Sequence, residues 1–269
     1  MTTILVAADF SANAHWATDY ALQLARRLCT RLVLVHAYNP PSNGSPDRMT
    51  PTDEGQYEWA LQQLSQLRDQ MLEITNGFVD VSVVARPGSP VASLVDEAAN
   101  QQADLLVIGV VGDEPLEARQ LGSLATDMIP HTSVPMLLVP PGACYRPLQT
   151  IVLAVDLSTP VDALALSSAK QFAQLVNATL DVICMDDEPD ERLRKAAEGV
   201  RILLSNQPLT VKFLPGNDLA IVLDDYLIEH KADLIMLLPK PYSWLRTLFI
   251  ESVTQEVARL STIPVLAVV

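Results

Sequence analysis

"TILVAADFS", residues 3–11, has a near-copy at residues 150–158, "TIVLAVDLS". Each is an apolar run rich in β-branched residues that ends on Asp-x-Ser, so Asp9 pairs with Asp156 and Ser11 with Ser158. A run that does not alternate with polar residues suits a strand buried on both faces of a parallel sheet. The likeness continues in order along the chain: "ARPGSP" (85–90) resembles "FLPGND" (213–218), "ADLLVIG" (103–109) resembles "ADLIMLL" (232–238), and "SVPMLLVP" (133–140) resembles "TIPVLAVV" (262–269). The spacings agree as well. Gly88 to Asp104 is 16 residues and Gly216 to Asp233 is 17, while Asp104 to Pro135 and Asp233 to Pro264 are both 31. The 269-residue chain therefore reads as two diverged copies of one unit, a repeat of domain length and not a solenoid of short repeats.

Within each copy, short apolar runs alternate with stretches of helical period. Copy one predicts strands at about 3–9, 31–37, 79–86, 103–109 and 134–139. Between them fall helices at about 12–29, 53–74, 89–101 and 122–132. The first helix sets Trp16, Tyr20, Leu24 and Leu28 on a core face, and the second does the same with Tyr57, Leu61, Leu64, Leu67 and Met71. Copy two repeats the order, with its second helix around 186–205. Alternation of β and α predicts a doubly wound α/β fold.

Composition narrows the function. Apolar residues make up 49% of the chain, enough for a full core in each half. The 32 acidic against 18 basic side chains give a net charge of −14, which opposes a nucleic-acid footprint. The start "MTTILVAADFS" has neither the basic region nor the cleavage site of a secretory signal, and no apolar run reaches the roughly 18 residues of a membrane span. Cys29, Cys144 and Cys184 are odd in number and lack metal-ligand spacing, as expected of reduced thiols in a cytoplasmic protein.

The chemistry is concentrated in "GVVGDEPLEARQLGS", residues 109–123, which holds three of the chain's ten glycines. Gly109 ends a buried run, and Gly122–Ser123 opens a helical one. Ligands of open α/β sheets sit beyond the carboxyl ends of the strands, where Asp9 also lies. Glycine admits a ligand to bare backbone, and a helix start presents unpaired N–H groups to phosphate. The physical reading is a strand–loop–helix phosphate site with Asp9 near a ribose hydroxyl or a metal-bound water. Glycines in such places also serve turns that bind nothing. The stretch is neither a Walker A loop, since no lysine follows the glycine, nor G-x-G-x-x-G.

These residues resemble the universal stress protein family, with two such domains in one chain. G-x2-G-x9-G-(S/T) is that family's ATP signature, and Gly109, Gly112, Gly122 and Ser123 match it without a gap. "AADFS", "LVLVHAY", "RPGSP" and "SVPMLLVP" resemble its strand ends in order. The resemblance implies two tandem five-stranded parallel sheets of strand order 3-2-1-4-5, Rossmann-like and similar to the adenine nucleotide alpha hydrolases. It implies domains at 1–141 and 149–269, joined by a linker at 141–149. It also implies that ATP lies over strands one and four. Asp9 would serve the ribose and Ala37 would lend backbone to the adenine. Ile108 and Gly109 would line base and ribose, and Gly112, Gly122, Ser123 and Leu124 would hold phosphates. The intervening loop carries Asp113, Glu114 and Glu117 against one base, Arg119, so bound ATP would need Mg²⁺ to offset the repulsion.

Copy two departs from the pattern. Aligned on Asp104 and Asp233, Gly109 meets Leu238, Gly112 meets Pro241, Gly122 meets Glu251 and Ser123 meets Ser252. Leucine adds a side chain, proline removes a donor and glutamate competes with phosphate for the helix start. Copy two therefore reads as a degenerate domain. Its loop "PKPYSWLRTLF" (239–249) either packs internally or anchors a partner. The four histidines are scattered, and His36 reads as structural. The acidic run Asp186, Asp187, Glu188, Asp190 and Glu191 reads as a solvated loop and helix start. The expectation is an ATP-binding regulatory protein of the stress response, acting through conformation and protein partners. Its two halves would pair through their last strands as a pseudo-dimer, with a homodimer as the alternative. Slow ATP hydrolysis or phosphotransfer at the same site, and a ligand-free interaction module, stand as alternatives. No general base, P-loop lysine or arginine clamp favours catalysis.

Overall fold

The computed structural model describes residues 1–39, 51–110, 124–129, 131–216, 219–238 and 263–268. The chain divides into two compact units, Met1–Tyr145 and Arg146–Val269. In unit 1 the elements run β1 (Thr3–Ala7), α1 (Ala12–Leu28), β2 (Arg31–Tyr38), α2 (Pro51–Thr75), β3 (Val81–Pro87), α3 (Pro90–Asn100), β4 (Leu105–Gly109), α4 (Leu124–Met128) and β5 (Met136–Val139). Unit 2 repeats the order with β6 (Thr150–Ala154), α5 (Ala163–Val176), β7 (Thr179–Met185), α6 (Glu191–Leu203), β8 (Leu209–Leu214), α7 (Leu219–His230), β9 (Leu234–Leu237) and β10 (Val265–Ala267).

Neighbouring strands run β3-β2-β1-β4-β5 in unit 1 and β8-β7-β6-β9-β10 in unit 2, which is order 3-2-1-4-5 twice. Pairing within each unit is parallel, with Thr3 opposite Arg31 and Ile4 opposite Leu105 in unit 1, and Thr150 opposite Thr179 and Ile151 opposite Leu234 in unit 2. Ile4, Leu5, Val6, Leu105, Leu106 and Val107 are fully buried or nearly so, as are Ile151, Val152, Leu153, Leu234 and Ile235. Burial of each such side chain contributes about 1.5–3 kcal/mol, which accounts for the unbroken apolar runs.

The repeated "AD" pairs have a structural cause. Asp104 Oδ2 accepts from the backbone N–H groups of Thr2 (2.6 Å) and Thr3 (3.0 Å). Asp233 Oδ2 does the same for Gln149 (2.8 Å) and Thr150 (3.1 Å). Each aspartate thus ties the start of its unit's first strand to the fourth. The two Pro-Gly pairs are equally determined. Gly88 and Gly216 sit at φ +128° and +126°, backbone that side chains rarely adopt.

Two expectations about helix faces need correction: Trp16 and Tyr57 are exposed, at 37% and 39%. Residues spaced by four drift about 40° per step around a 3.6-residue helix. The row Trp16, Tyr20, Leu24, Leu28 therefore keeps only its middle buried, Tyr20 and Leu24, and the core stripe of α1 is completed by Ala14, Ala17, Ala21 and Ala25. In α2 the buried stripe is Ala60, Leu64, Met71 and Thr75. The second helix of unit 2 starts at Glu191, later than expected, because Asp190 caps it by accepting from Leu193 N–H at 2.7 Å. The helix expected at 122–132 spans Leu124–Met128 among the described residues. Tyr145, in the expected linker, packs edge-on against Tyr20 at 5.3 Å and so belongs to unit 1. Cys29 and Cys144 are exposed thiols and Cys184 is buried.

Candidate functional site

The carboxyl edge of unit 1 is built by β1, β2 and β4. Ala7 lies opposite Val35, and Ala8 N–H donates to Val35 O at 2.9 Å, extending the ladder one residue. Asp9 thus emerges level with Ala37, just past the strand. On the other flank, Val6 lies opposite Val107, which brings the ends of β1 and β4, Ala8 and Gly109, alongside each other. The structure therefore brings Asp9, Ala37, Ile108 and Gly109 to one edge. Leu124 opens α4 and is half-buried. Gly112, Gly122 and Ser123 lie outside the described residues, as do the acidic loop at 113–119 and the aromatic loop at 239–249.

Local chemistry holds the edge in shape. Asp9 Oδ1 accepts from Ser11 N–H at 2.9 Å, closing a turn, and the carboxylate remains exposed. Ser11 Oγ accepts from Ala14 N–H at 3.0 Å and caps α1, so Asp-x-Ser is both a turn and a helix start. His36 Nδ1–H donates to Ala8 O at 2.6 Å, which makes the ring a brace between β2 and the end of β1, as its structural reading expected. The sequence reading missed two neighbours here. Phe10 stacks at 4.5 Å from His36, and Trp59 of α2 meets Phe10 edge-on at 5.4 Å. Sequence offers only a faint sign of this, an aromatic residue between the aspartate and serine of the turn.

The matching edge of unit 2 is built alike and filled differently. Asp156 Oδ1 accepts from Ser158 N–H at 2.9 Å and Ser158 Oγ at 2.6 Å, and Val155 N–H donates to Ile183 O at 2.9 Å. Yet Asp156 is 6% exposed, where Asp9 is open to solvent. Leu157, Cys184 and Leu238 stand in place of Phe10, His36 and Gly109, and all three are buried. Burial pushes the Cys184 thiol up; a backbone hydrogen bond from Leu157 works against this, and the charges of Asp156 and Asp186 add to it. The helix does not start at Ser158 either. It begins at Ala163, capped by Asp162, which accepts from Leu164 and Ala165 N–H. In the acidic run, Asp187 accepts from Gly216 N–H at 2.6 Å and Asp186 from Glu188 N–H at 3.0 Å, as fits a loop and helix start. Among the described residues no group of three or more His, Cys, Asp or Glu is placed to hold a metal ion, and no helix is long and apolar enough to cross a membrane.

Comparison with known proteins agrees with this architecture. The model of the universal stress protein family matches residues 1–140. A universal stress protein of Thermus aquaticus, named for its place in a QAH/OAS sulfhydrylase 3′ region, is 30% identical over 138 residues, covering 51% of this chain and 97% of that protein. One from Mycobacterium tuberculosis is 29% identical over 139 residues, covering 51% of this chain and 94% of its own. Over nearly the whole chain, the fold resembles a universal stress protein from Archaeoglobus fulgidus, with TM-score 0.74, 16% identity and coverage of 98% and 95% of the two chains. A second likeness, at TM-score 0.60 and 18% identity, is to a protein from Pseudomonas aeruginosa that covers 100% of this chain. With the family pattern running through unit 1 and the family's fold repeated in both units, the chain belongs to the universal stress protein family.

Proposed function

We propose that unit 1 binds ATP at its carboxyl edge, and that the protein acts as a nucleotide-dependent regulator of the stress response in the cytoplasm. The observation that carries this reading is the contrast between the two edges. Where the glycine pattern is unbroken, Asp9, Ala37 and Gly109 line an accessible edge; where it is lost, Asp156, Leu157 and Leu238 are buried. The proposed contacts are Asp9 to the ribose, Ala37 backbone to the adenine and Ile108 and Gly109 along base and ribose. Gly112, Gly122, Ser123 and Leu124 complete the set at the phosphates. Mg²⁺ offsets the acidic loop: two like charges about 4 Å apart repel by roughly 4 kcal/mol at an effective dielectric near 20. Unit 2 acts as a domain that does not use this motif, and its pairing with unit 1 through "VPMLLVP" and "IPVLAVV" is proposed from the sequence.

Isothermal calorimetry with ATP, with and without Mg²⁺, tests the reading. Gly122→Glu imports the residue of copy two and is expected to weaken ATP binding at least about a hundredfold, while circular dichroism stays native. Glu251→Gly is expected to create no second site, because Leu238 and Pro241 remain. ATP affinity untouched by Gly122→Glu rejects the site, and affinity unchanged by EDTA rejects the role of Mg²⁺.

A further inference from the structure

Phe10 has φ +63°. Among the described residues the other non-glycines with positive φ are Cys29, Asn76, Gln102, Asn177, Asn206 and Lys231. Every one of those follows the end of a helix, where a left-handed residue satisfies the last carbonyls. Phe10 instead precedes a helix, and a bulky residue in this region is a true outlier. Strain of this kind persists where surrounding structure enforces it, and it gathers at functional sites.

The surroundings here are rings. The Phe10 ring is tilted 36° to His36 with centroids 4.5 Å apart, and His36 is itself pinned through Nδ1–H to Ala8 O. Trp59 stands perpendicular to Phe10, at 88°, and 6.1 Å from His36. This trio sits at the ends of β1 and β2, adjoining Asp9 and Ala37 in the chain. It is not sealed into the core: Phe10 is half-buried and Trp59 is 51% exposed, a large apolar surface left in water. Among the described residues, unit 2 keeps the same turn without the rings or the strain. Its equivalents of Phe10 and His36 are Leu157 and Cys184, both buried, and Leu157 is not among the residues of positive φ. Among the described residues, the strained aromatic cluster thus accompanies the unit whose glycine pattern is intact.

We infer that Phe10 and Trp59 form an aromatic shelf that stacks on the base of a nucleotide held at unit 1 and favours purines over pyrimidines. The inference rests on the nucleotide reading given above. Stacking on an aromatic face does not depend on a particular hydrogen-bond pattern, and a two-ring base covers more of the shelf than a one-ring base. Asp9 and the adjacent Phe10 would then engage ribose and base from consecutive positions, with the left-handed backbone turning the ring back over the strand ends.

The test compares ATP and CTP by calorimetry in the wild type, Phe10→Gly, Trp59→Leu and Gly122→Glu. Phe10→Gly suits the left-handed backbone and removes only the ring, so its melting temperature is expected to stay within a few degrees of wild type. Wild type is expected to prefer ATP over CTP by about tenfold or more. Phe10→Gly and Trp59→Leu are each expected to lower ATP affinity by about tenfold and to narrow the ATP/CTP ratio. ATP is also expected to quench tryptophan fluorescence in the wild type and not in Trp59→Phe. If ATP binds, Gly122→Glu abolishes binding and both shelf variants bind ATP as wild type does, the shelf is overturned while the nucleotide site stands. If the wild type binds neither nucleotide, both readings fall.

Discussion

Units 1 and 2 bury a polar cluster at the same place and build it from different chemistry. In unit 1, Glu97 of α3 is 1% exposed and accepts from Arg86 Nε and Gln101 Nε2, both at 2.7 Å. Aligned on Asp104 and Asp233, Glu97 corresponds to Tyr226 and Gln101 to His230. Tyr226, 5% exposed, accepts from Lys212 Nζ at 2.9 Å and donates to Asp181 Oδ2 at 3.2 Å. His230 stacks on Tyr226 at 3.8 Å, donates from Nδ1–H to Tyr226 O at 3.0 Å and accepts from Lys212 at Nε2, 3.1 Å away. Thr210 Oγ1 completes the set by donating to Asp181 Oδ1 at 2.7 Å. By contrast Asp104 and Asp233, and the turns at Asp9 and Asp156, are twins in the backbone N–H groups they accept from and in the carboxylate oxygen that accepts. The difference has a physical cause. A side chain that serves backbone N–H groups has a partner that no substitution except proline removes. A side chain that serves other side chains can change along with them, provided every buried donor and acceptor ends up paired.

The largest effects expected from probing this comparison come from the twin glycines. At Gly216 an added Cβ would lie 2.7 Å from Val222 Cγ2, and at Gly88 it would lie 3.2 Å from Ser93 Oγ. Both also carry the cost of positive φ, so Gly216→Ala is expected to destabilise by about 3 kcal/mol and Gly88→Ala by about 2 kcal/mol. Urea denaturation reads both, and a reversed order would show that the Val222 contact does not separate them.

Glu97→Gln is next, at about 2 kcal/mol, because it leaves Arg86 without its carboxylate. Asp104→Asn and Asp233→Asn are each expected to cost about 1 kcal/mol, discounted for exposure and matched to one another. Unequal losses would break the twin relation. Tyr226→Phe, about 1 kcal/mol or less, removes one hydroxyl from a cluster with other bonds to keep it together.

The clusters should also respond to opposite extremes of pH. Burial pushes the Glu97 carboxyl up, but hydrogen bonds from Gln101 and Arg86 and the guanidinium charge outweigh it, and the net effect is downward. A carboxyl lowered in the folded state contributes stability above its unfolded value, near pH 4.5, and loses it as pH falls through the folded one. In unit 2 the hydrogen bond to Tyr226 raises Lys212, and burial raises Tyr226. Groups raised in the folded state contribute stability below their unfolded values, near pH 10, and lose it as pH climbs through the folded ones. Urea denaturation across pH is expected to show acid-side dependence that shrinks in Glu97→Gln and alkaline-side dependence that shrinks in Lys212→Met. Unchanged slopes in either variant would remove that cluster as the source.

Much of this molecule was written in its sequence. Duplication and the alternation of strand and helix followed from apolar runs of strand length, Pro-Gly turns and "AD" pairs at matched spacing, and the parallel order 3-2-1-4-5 followed from the resemblance to the universal stress protein family. These signals are local: burial on both faces makes a run uniformly apolar, and a left-handed turn demands glycine. The strand-end residues Asp9 and Gly109 were legible for the same reason, since the end of a run is visible in the run, while Ala37 and Ile108 followed from the family resemblance. Tertiary structure alone decided the rest. Trp16 and Tyr57 look like core residues by spacing and face solvent, because the sheet covers only a narrow stripe of each helix. Glu97 is charged and yet lies buried, because its partner Arg86 arrives from a different element. Phe10 reads as one more apolar residue and adopts left-handed backbone, because His36 and Trp59, 26 and 49 positions further along the chain, hold its ring. Local pattern records how much of a residue is buried on average; which side chain meets it depends on chain segments that only folding brings together.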